Sequence, residues 1–203
     1  MQTKNDGKLI ALEGIDGCGK SIQAARLRDR LESLGHSTVT LREPGDSEYG
    51  QQLRGIFAGS REVSPQEEVR LFLEDRRIDV RDNILPALAA GKIVIMDRYY
   101  LSSVVYQGCL GLDPGEIQAA NEAIAPRPDL TLILDIDPTE AERRIHAARG
   151  GGDSFEGAEY QRRVRKAYLG YVDGQGIVRV DAARSPEQVC DEMLEYVLAL
   201  LRR

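Results

Sequence analysis

Nothing in this 203-residue chain narrows its possible folds as sharply as the passage from Leu9 to Ser21, LIALEGIDGCGKS. A short apolar run passes without a spacer into three glycines, a lysine and a hydroxyl. Gly14-Ile15-Asp16-Gly17-Cys18-Gly19-Lys20-Ser21 fits G-x-x-x-x-G-K-[ST], the pattern of a loop whose main-chain N–H groups turn inward around an anion. The glycines permit that turn because no Cβ obstructs it. A helix starting at the lysine adds its positive N-terminal end. Lys20 is expected at the β- and γ-phosphates of a nucleotide, and the Ser21 hydroxyl on Mg²⁺. Cys18 reads as a small loop filler rather than a nucleophile.

The rest of the chain repeats the alternation that this passage begins. Apolar β-rich runs at Leu9–Leu12, Thr38–Leu41, Ile93–Met96, Leu130–Ile136 and Ile177–Val180 are separated by longer helical patterns. Ser64-Pro65-Gln66-Glu67 carries helix-start chemistry of the capping-box kind. Asp113-Pro114-Gly115-Glu116 and Ser185-Pro186-Glu187-Gln188 repeat it, and Asp137-Pro138 supplies its first half. Gly35 and Gly91 mark helix ends, and Pro86 predicts a kink or break inside a long helical pattern. Such alternation predicts a parallel sheet with helices on both faces. In that architecture the residues just beyond the strand carboxyl ends face the ligand.

Composition sets the outer bounds. With 42% hydrophobic and 30% charged residues, one globular domain spanning 1–203 is expected. The net charge of −6 argues against a broad nucleic-acid footprint. Cys18, Cys109 and Cys190 are widely spaced and odd in number, which fits neither a metal cluster nor a disulfide framework. The start MQTKNDGK has no apolar core of a leader, and no run of 18 apolar residues occurs. The expectation is a cytoplasmic protein without membrane contact.

The later strand ends add chemistry. The second runs into Leu41-Arg42-Glu43-Pro44-Gly45, the third into Met96-Asp97-Arg98-Tyr99, and the fourth into Asp135-Ile136-Asp137-Pro138. A carboxylate after an apolar strand beside a phosphate loop is the usual partner of Mg²⁺ or its waters. Asp97 fits that description, with Arg98 beside it as an anion clamp.

Taken in order, the EGIDG loop, REPG, LF-x-x-x-R, DRY, S-S-x-x-Y-Q-G, RPDLTL-x-LD and a Gly-rich arginine loop resemble the thymidylate kinases, from about Leu9 to about Tyr171. The resemblance implies a P-loop NTPase fold, α/β with a five-stranded parallel sheet ordered 2-3-1-4-5. It also implies transfer of a γ-phosphoryl group from ATP to dTMP with Mg²⁺, and a homodimer. On that likeness Phe72 stacks on the thymine ring and Arg76, one turn later, donates to a base carbonyl. Asp16 holds the sugar 3′-hydroxyl, and Tyr106 lies under the deoxyribose. Ser103 and Gln107 contact the base, and Arg98 grips the acceptor phosphate. Arg42 and Glu43 line the same pocket.

The chain departs from the family pattern in a lid-like segment at about 146–157. Many bacterial relatives place an arginine directly after the loop aspartate, where this chain has Ser154. The phosphate loop offers no basic residue at its variable positions either. Arg149, followed by Gly150-Gly151-Gly152, is the nearest substitute at the transition state. Arg144 is a second candidate, or a contact to adenine. Asp46 and Tyr100 are smaller departures near the acceptor. A kinase for another phosphorylated acceptor, and a nucleotide-binding sensor, remain alternatives at this point.

Overall fold

The computed structural model describes residues 7–59, 62–149, 155–173 and 176–202, and within them not the side chains of residues 148, 149 and 155–158. Five strands form the sheet: β1 (Lys8–Glu13), β2 (Thr38–Arg42), β3 (Ile93–Asp97), β4 (Leu130–Asp135) and β5 (Ile177–Asp181). Their order is β2-β3-β1-β4-β5 and every pairing is parallel, as the resemblance implies. The three central strands are buried along almost their whole length, whereas β2 and β5, at the edges, are partly open. This explains the unbroken apolar run of β3 and the nearly unbroken one of β4, where only a buried Thr131 precedes the closing Asp135 as a polar residue.

Nine helices cover the described part of the sheet. α1 (Lys20–Ser33) leaves the phosphate loop and packs beside α9 (Pro186–Leu201). α2 (Glu48–Phe57) and α3 (Pro65–Asp79) pack together, joined by a small cluster of Leu53, Leu71 and Phe72. α4 (Leu85–Ala89), α5 (Tyr100–Cys109) and α6 (Pro114–Glu122) follow, then α7 (Pro138–Arg149) and α8 (Phe155–Leu169). The Ser185 cap closes in both directions, with the Gln188 side chain reaching back. Ser64 and Asp113 accept from the N–H groups of Glu67 and Glu116. Gly35 and Gly91 take left-handed φ values of 87° and 74° just past the helix ends, as expected.

At Pro86 the chain does not break. A π-helical turn over Val80–Ile84 joins α3 to α4. Pro86 has no N–H for the carbonyl four residues back and its ring crowds that carbonyl; a wider turn removes the conflict without stopping the helix. Leu71, Val80 and Ile84 are all buried in the chain's own core. The apolar face between Leu71 and Leu85 is therefore internal for most of its length.

Candidate active site

Because β1 lies between β3 and β4, with Leu12 in register with Asp97, the residues following β1 and β3 emerge side by side. Gly19 has φ 99° at the N-cap of α1, a left-handed conformation that an L side chain resists. At Gly17 (φ 78°) an added Cβ would lie 2.4 Å from the Ala141 carbonyl oxygen of α7. The loop is thus held flat against α7 and turned onto α1. Lys20 is buried and its Nζ donates to the Gly14 and Ile15 carbonyls at 3.0 and 2.9 Å, with Cys18 Sγ at 3.5 Å. The ammonium sits inside the curl of the loop, ringed by its main chain.

The last residue of β3 and the one that follows it reach two residues of that phosphate-binding motif. Ser21 Oγ donates to Asp97 Oδ2 at 2.5 Å. Arg98 donates through NH2 to Asp16 Oδ1 at 2.6 Å and through NH1 to Ser102 Oγ at 3.0 Å and the Gly14 carbonyl at 3.3 Å. Its guanidinium lies 5.2 Å from the centre of the Tyr106 ring. Arg98 also has φ 70°, the one described non-glycine residue at positive φ, and that conformation costs about 1–2 kcal/mol. A hydroxyl and a carboxylate in contact form an oxygen-only donor pair, which suits a hard cation such as Mg²⁺. No cluster of three or more His, Cys, Asp or Glu with metal-binding geometry occurs among the described residues, and Mg²⁺ bound through substrate phosphates and water requires none.

Below this lies a closed polar knot. Arg76 is fully buried. Its Nε donates to both Glu43 oxygens at 2.9 and 3.1 Å, and NH2 binds Glu43 Oε2 and Ser103 Oγ. NH1 donates to Asn121 Oδ1, and the guanidinium sits 5.5 Å from the Tyr99 ring centre. A guanidinium has five N–H groups, so one NH1 hydrogen has no partner among the described residues. Burial pushes the Glu43 carboxyl up to about 7, against the pull of Arg76. Gln107 donates to Glu68 at 2.9 Å, while its buried Oε1 lacks a partner among the described residues. Phe72 is buried against α2, its ring centre 6.1 Å from that of Phe57.

The REPG turn is pinned from both sides. Asp75 accepts from Gly45 N at 2.7 Å and Ser47 Oγ at 2.5 Å, and Arg54 donates to the Pro44 and Gly45 carbonyls. Arg42 is set apart from the other expected residues. Successive strand residues point to opposite faces, and where Glu43 turns inward Arg42 is exposed. It lines a cavity of about 380 Å³ along the outer edge of β2, with Thr40, Arg54 and Asp79. Volume alone therefore does not identify the phosphate loop. Arg144 binds Glu140 and the Ala182 carbonyl, each at 3.1 Å, reaching the loop after β5. The Arg149 side chain and Ser154 lie outside the described residues.

Several participants escape a linear reading. Asn121 and Tyr168 carry no local signal. Glu13 does carry one, a charge closing an apolar strand. Asp135 accepts from Arg165 and Arg179 at 2.6 and 2.7 Å. Burial raises its carboxyl, but those arginines hold it below the usual value; it is an ion-pair hub rather than an open metal ligand.

Residues 12–193 match the family model described as thymidylate kinase. The chain is 44% identical over 193 residues to a protein named probable thymidylate kinase from Archaeoglobus fulgidus, covering 95% of this chain and 96% of that one. It is 40% identical over 201 residues to the thymidylate kinase of Desulfotalea psychrophila, 98% of each. It is 41% identical over 203 residues to that of Clavibacter michiganensis, 96% of each. Sheet order, phosphate loop and near full-length similarity agree: the chain belongs to the thymidylate kinase family.

Proposed function

We propose that the protein transfers the γ-phosphoryl group of ATP to dTMP, giving dTDP and ADP. The observation that carries this reading is the pair of neighbours at the carboxyl end of β3. Asp97 meets Ser21 at 2.5 Å and Arg98 meets Asp16 at 2.6 Å, so a cation-type and an anion-type contact flank one phosphate loop. Family membership supports the choice of substrates.

In this reading the loop N–H groups and Lys20 hold the donor phosphates. Ser21 and Asp97 hold Mg²⁺, which, when bound, supplies positive charge to the phosphate oxygens. Arg98 takes the acceptor phosphate with its planar fork. Tyr106 supports the deoxyribose, Asp16 accepts from the 3′-hydroxyl, and Phe72 lies against the base. Arg76 reads a base carbonyl with its remaining NH1 hydrogen. Ser103 and the unpartnered Gln107 Oε1 contact the other polar edge. A dTMP phosphate oxygen forms the new bond to the γ-phosphorus as the bond to the bridging oxygen breaks. No side chain acts as nucleophile, and positioning with charge neutralisation does the work. Arg144 borders the adenine. Residues 146–157 form the lid and Arg149 supplies its arginine. Two copies associate as a homodimer in the cytoplasm; no helix among the described residues is long and apolar enough to cross a membrane.

The test is coupled ADP release with ATP and Mg²⁺ across dTMP, dUMP, dCMP and the ribose analogue of dTMP. dTMP should be preferred by at least tenfold in kcat/KM, with activity lost on chelation. A strong preference for another acceptor overturns the substrate. Tight ATP binding without ADP release from any acceptor overturns the enzyme.

A further inference from the structure

β1 reads KLIALE, and its last residue is a charge with no exposure at all. A buried carboxylate persists only where donors replace water. Glu13 has four. Oε1 accepts from the main-chain N–H of Tyr99 at 2.9 Å and of Ser102 at 3.1 Å. Oε2 accepts from Ser102 Oγ at 2.6 Å and from Tyr168 Oη at 3.0 Å. The N-cap residue of α5, Tyr99, offers no side-chain cap and the first turn holds no acidic residue. The capping charge arrives from β1 instead.

That much would describe a stabilising cap. The position of Arg98 adds more. The Arg98 N–H donates to the Leu12 carbonyl at 3.0 Å, so the last two residues of β1 together pin the turn from residue 98 to residue 102. Ser102 has one hydroxyl hydrogen; Glu13 Oε2 takes it at 2.6 Å, while Tyr168 Oη, 2.9 Å from Ser102 Oγ, places its own hydrogen on the same carboxylate oxygen. The lone pairs of Ser102 Oγ are then left to accept, and Arg98 NH1 occupies that position at 3.0 Å. Fixing where the Ser102 proton goes fixes where the Arg98 fork sits. The other arm, NH2, is left pointing at Asp16 and, at 3.4 Å, the Tyr106 hydroxyl.

We propose that Glu13 is a positioning residue for Arg98, acting through the Ser102 hydroxyl to aim the guanidinium at the acceptor phosphate. The proposal rests on the reading of Arg98 as the acceptor clamp. Glutamine at residue 13 would keep the shape but set an NH₂ group against either the two main-chain donors or the two hydroxyls. Against the main-chain N–H groups donor would face donor and the cap of α5 would fail; against the hydroxyls the NH₂ would donate to Ser102 Oγ and turn its hydrogen away, so in either arrangement Ser102 would lose its fixed geometry. A cap without this second role would lower stability and leave substrate affinities alone.

The experiment is a double-mutant cycle of Glu13→Gln and Ser102→Ala, read as KM for dTMP, KM for ATP and melting temperature. Each single variant should raise KM for dTMP about tenfold while KM for ATP stays within twofold. The double variant should be no worse than the weaker single one, because both act along one chain of contacts. Unchanged KM for dTMP in folded variants, or effects that multiply in the double variant, overturn the positioning role. If Glu13→Gln does not fold, Ser102→Ala decides alone, and a KM for dTMP matching wild type overturns it. A wild type that releases no ADP with dTMP overturns the kinase reading and this inference together. An active wild type with indifferent variants overturns only the inference.

Discussion

Two arginines stand on either side of the turn into α5, and they are held in opposite ways. Arg76 is 1% exposed against a Glu43 that is 2% exposed. Arg98 is 18% exposed, and its partner Asp16 is 60% exposed. Both guanidiniums lie near a tyrosine ring, at 5.5 and 5.2 Å. Burial separates them. An ion pair shut away from water has no substitute for its partner, so Arg76 is bound permanently into Glu43, Ser103 and Asn121. An ion pair open to water exchanges partners at small cost, so Arg98 can release Asp16 when a phosphate arrives. The first is a scaffold with one free donor, the second a ligand at rest.

The largest effect expected from this contrast is on stability. Glu43→Ala leaves the Arg76 charge buried and unpaired, which costs about 3–5 kcal/mol and lowers the melting temperature by about 10 °C. A fall of less than 2 °C would mean that Arg76 finds another partner, and the contrast would lose its buried half. Arg98→Ala should behave the other way round. Activity with dTMP should fall about a hundredfold or more in kcat/KM, while the melting temperature moves by only a few degrees. Stability loss rivalling that of Glu43→Ala would make Arg98 a second scaffold.

How much of this could be read from the chain depends on how far apart the partners lie. The phosphate loop is local, so its glycines, Lys20 and Ser21 are legible as a string. Strand cores are legible too, but each strand starts or ends with polar residues, as in Lys8 and Glu13 of β1, because the hydrogen-bond ladder outlasts the apolar run. The strand order followed from resemblance and not from spacing. The run Glu74-Asp75-Arg76-Arg77 reads as a solvated face, yet Asp75 and Arg76 are buried while Arg77 is open. The REPG turn and Asn121 supply the missing partners, and only the fold brings them there. Glu13 to Tyr168 spans 155 residues. No periodicity reports such a contact.

A smaller effect sharpens the buried half by pH. Burial raises the Glu43 carboxyl to about 7, above the ordinary value near 4.3. A group whose folded value is raised takes up a proton on folding between those two limits. Its contribution to stability is complete below about pH 4.3 and is lost as pH rises through 7. Glu43→Gln has no such titration. From pH 5 to pH 8 wild type should therefore lose about 2–3 kcal/mol relative to Glu43→Gln, or several degrees in melting temperature. Parallel melting curves across that range would show that Arg76 keeps Glu43 ionised throughout.

The smallest expected effect tests the open half. Asp16→Asn removes the exposed partner of Arg98, and an exposed pair is worth about 0–1 kcal/mol. The melting temperature should stay within about 2 °C of wild type, because Ser102 Oγ, the Gly14 carbonyl and the Tyr106 ring still hold the guanidinium. KM for dTMP should nevertheless rise several-fold, since an amide accepts less strongly than a carboxylate from a sugar hydroxyl. Affinity thus moves at Asp16 while stability does not, whereas the effect expected at Glu43 is on stability. If Asp16→Asn destabilised the fold as Glu43→Ala does, Arg98 would depend on its exposed neighbour for its place, and the distinction between a fixed and an exchangeable arginine would fail.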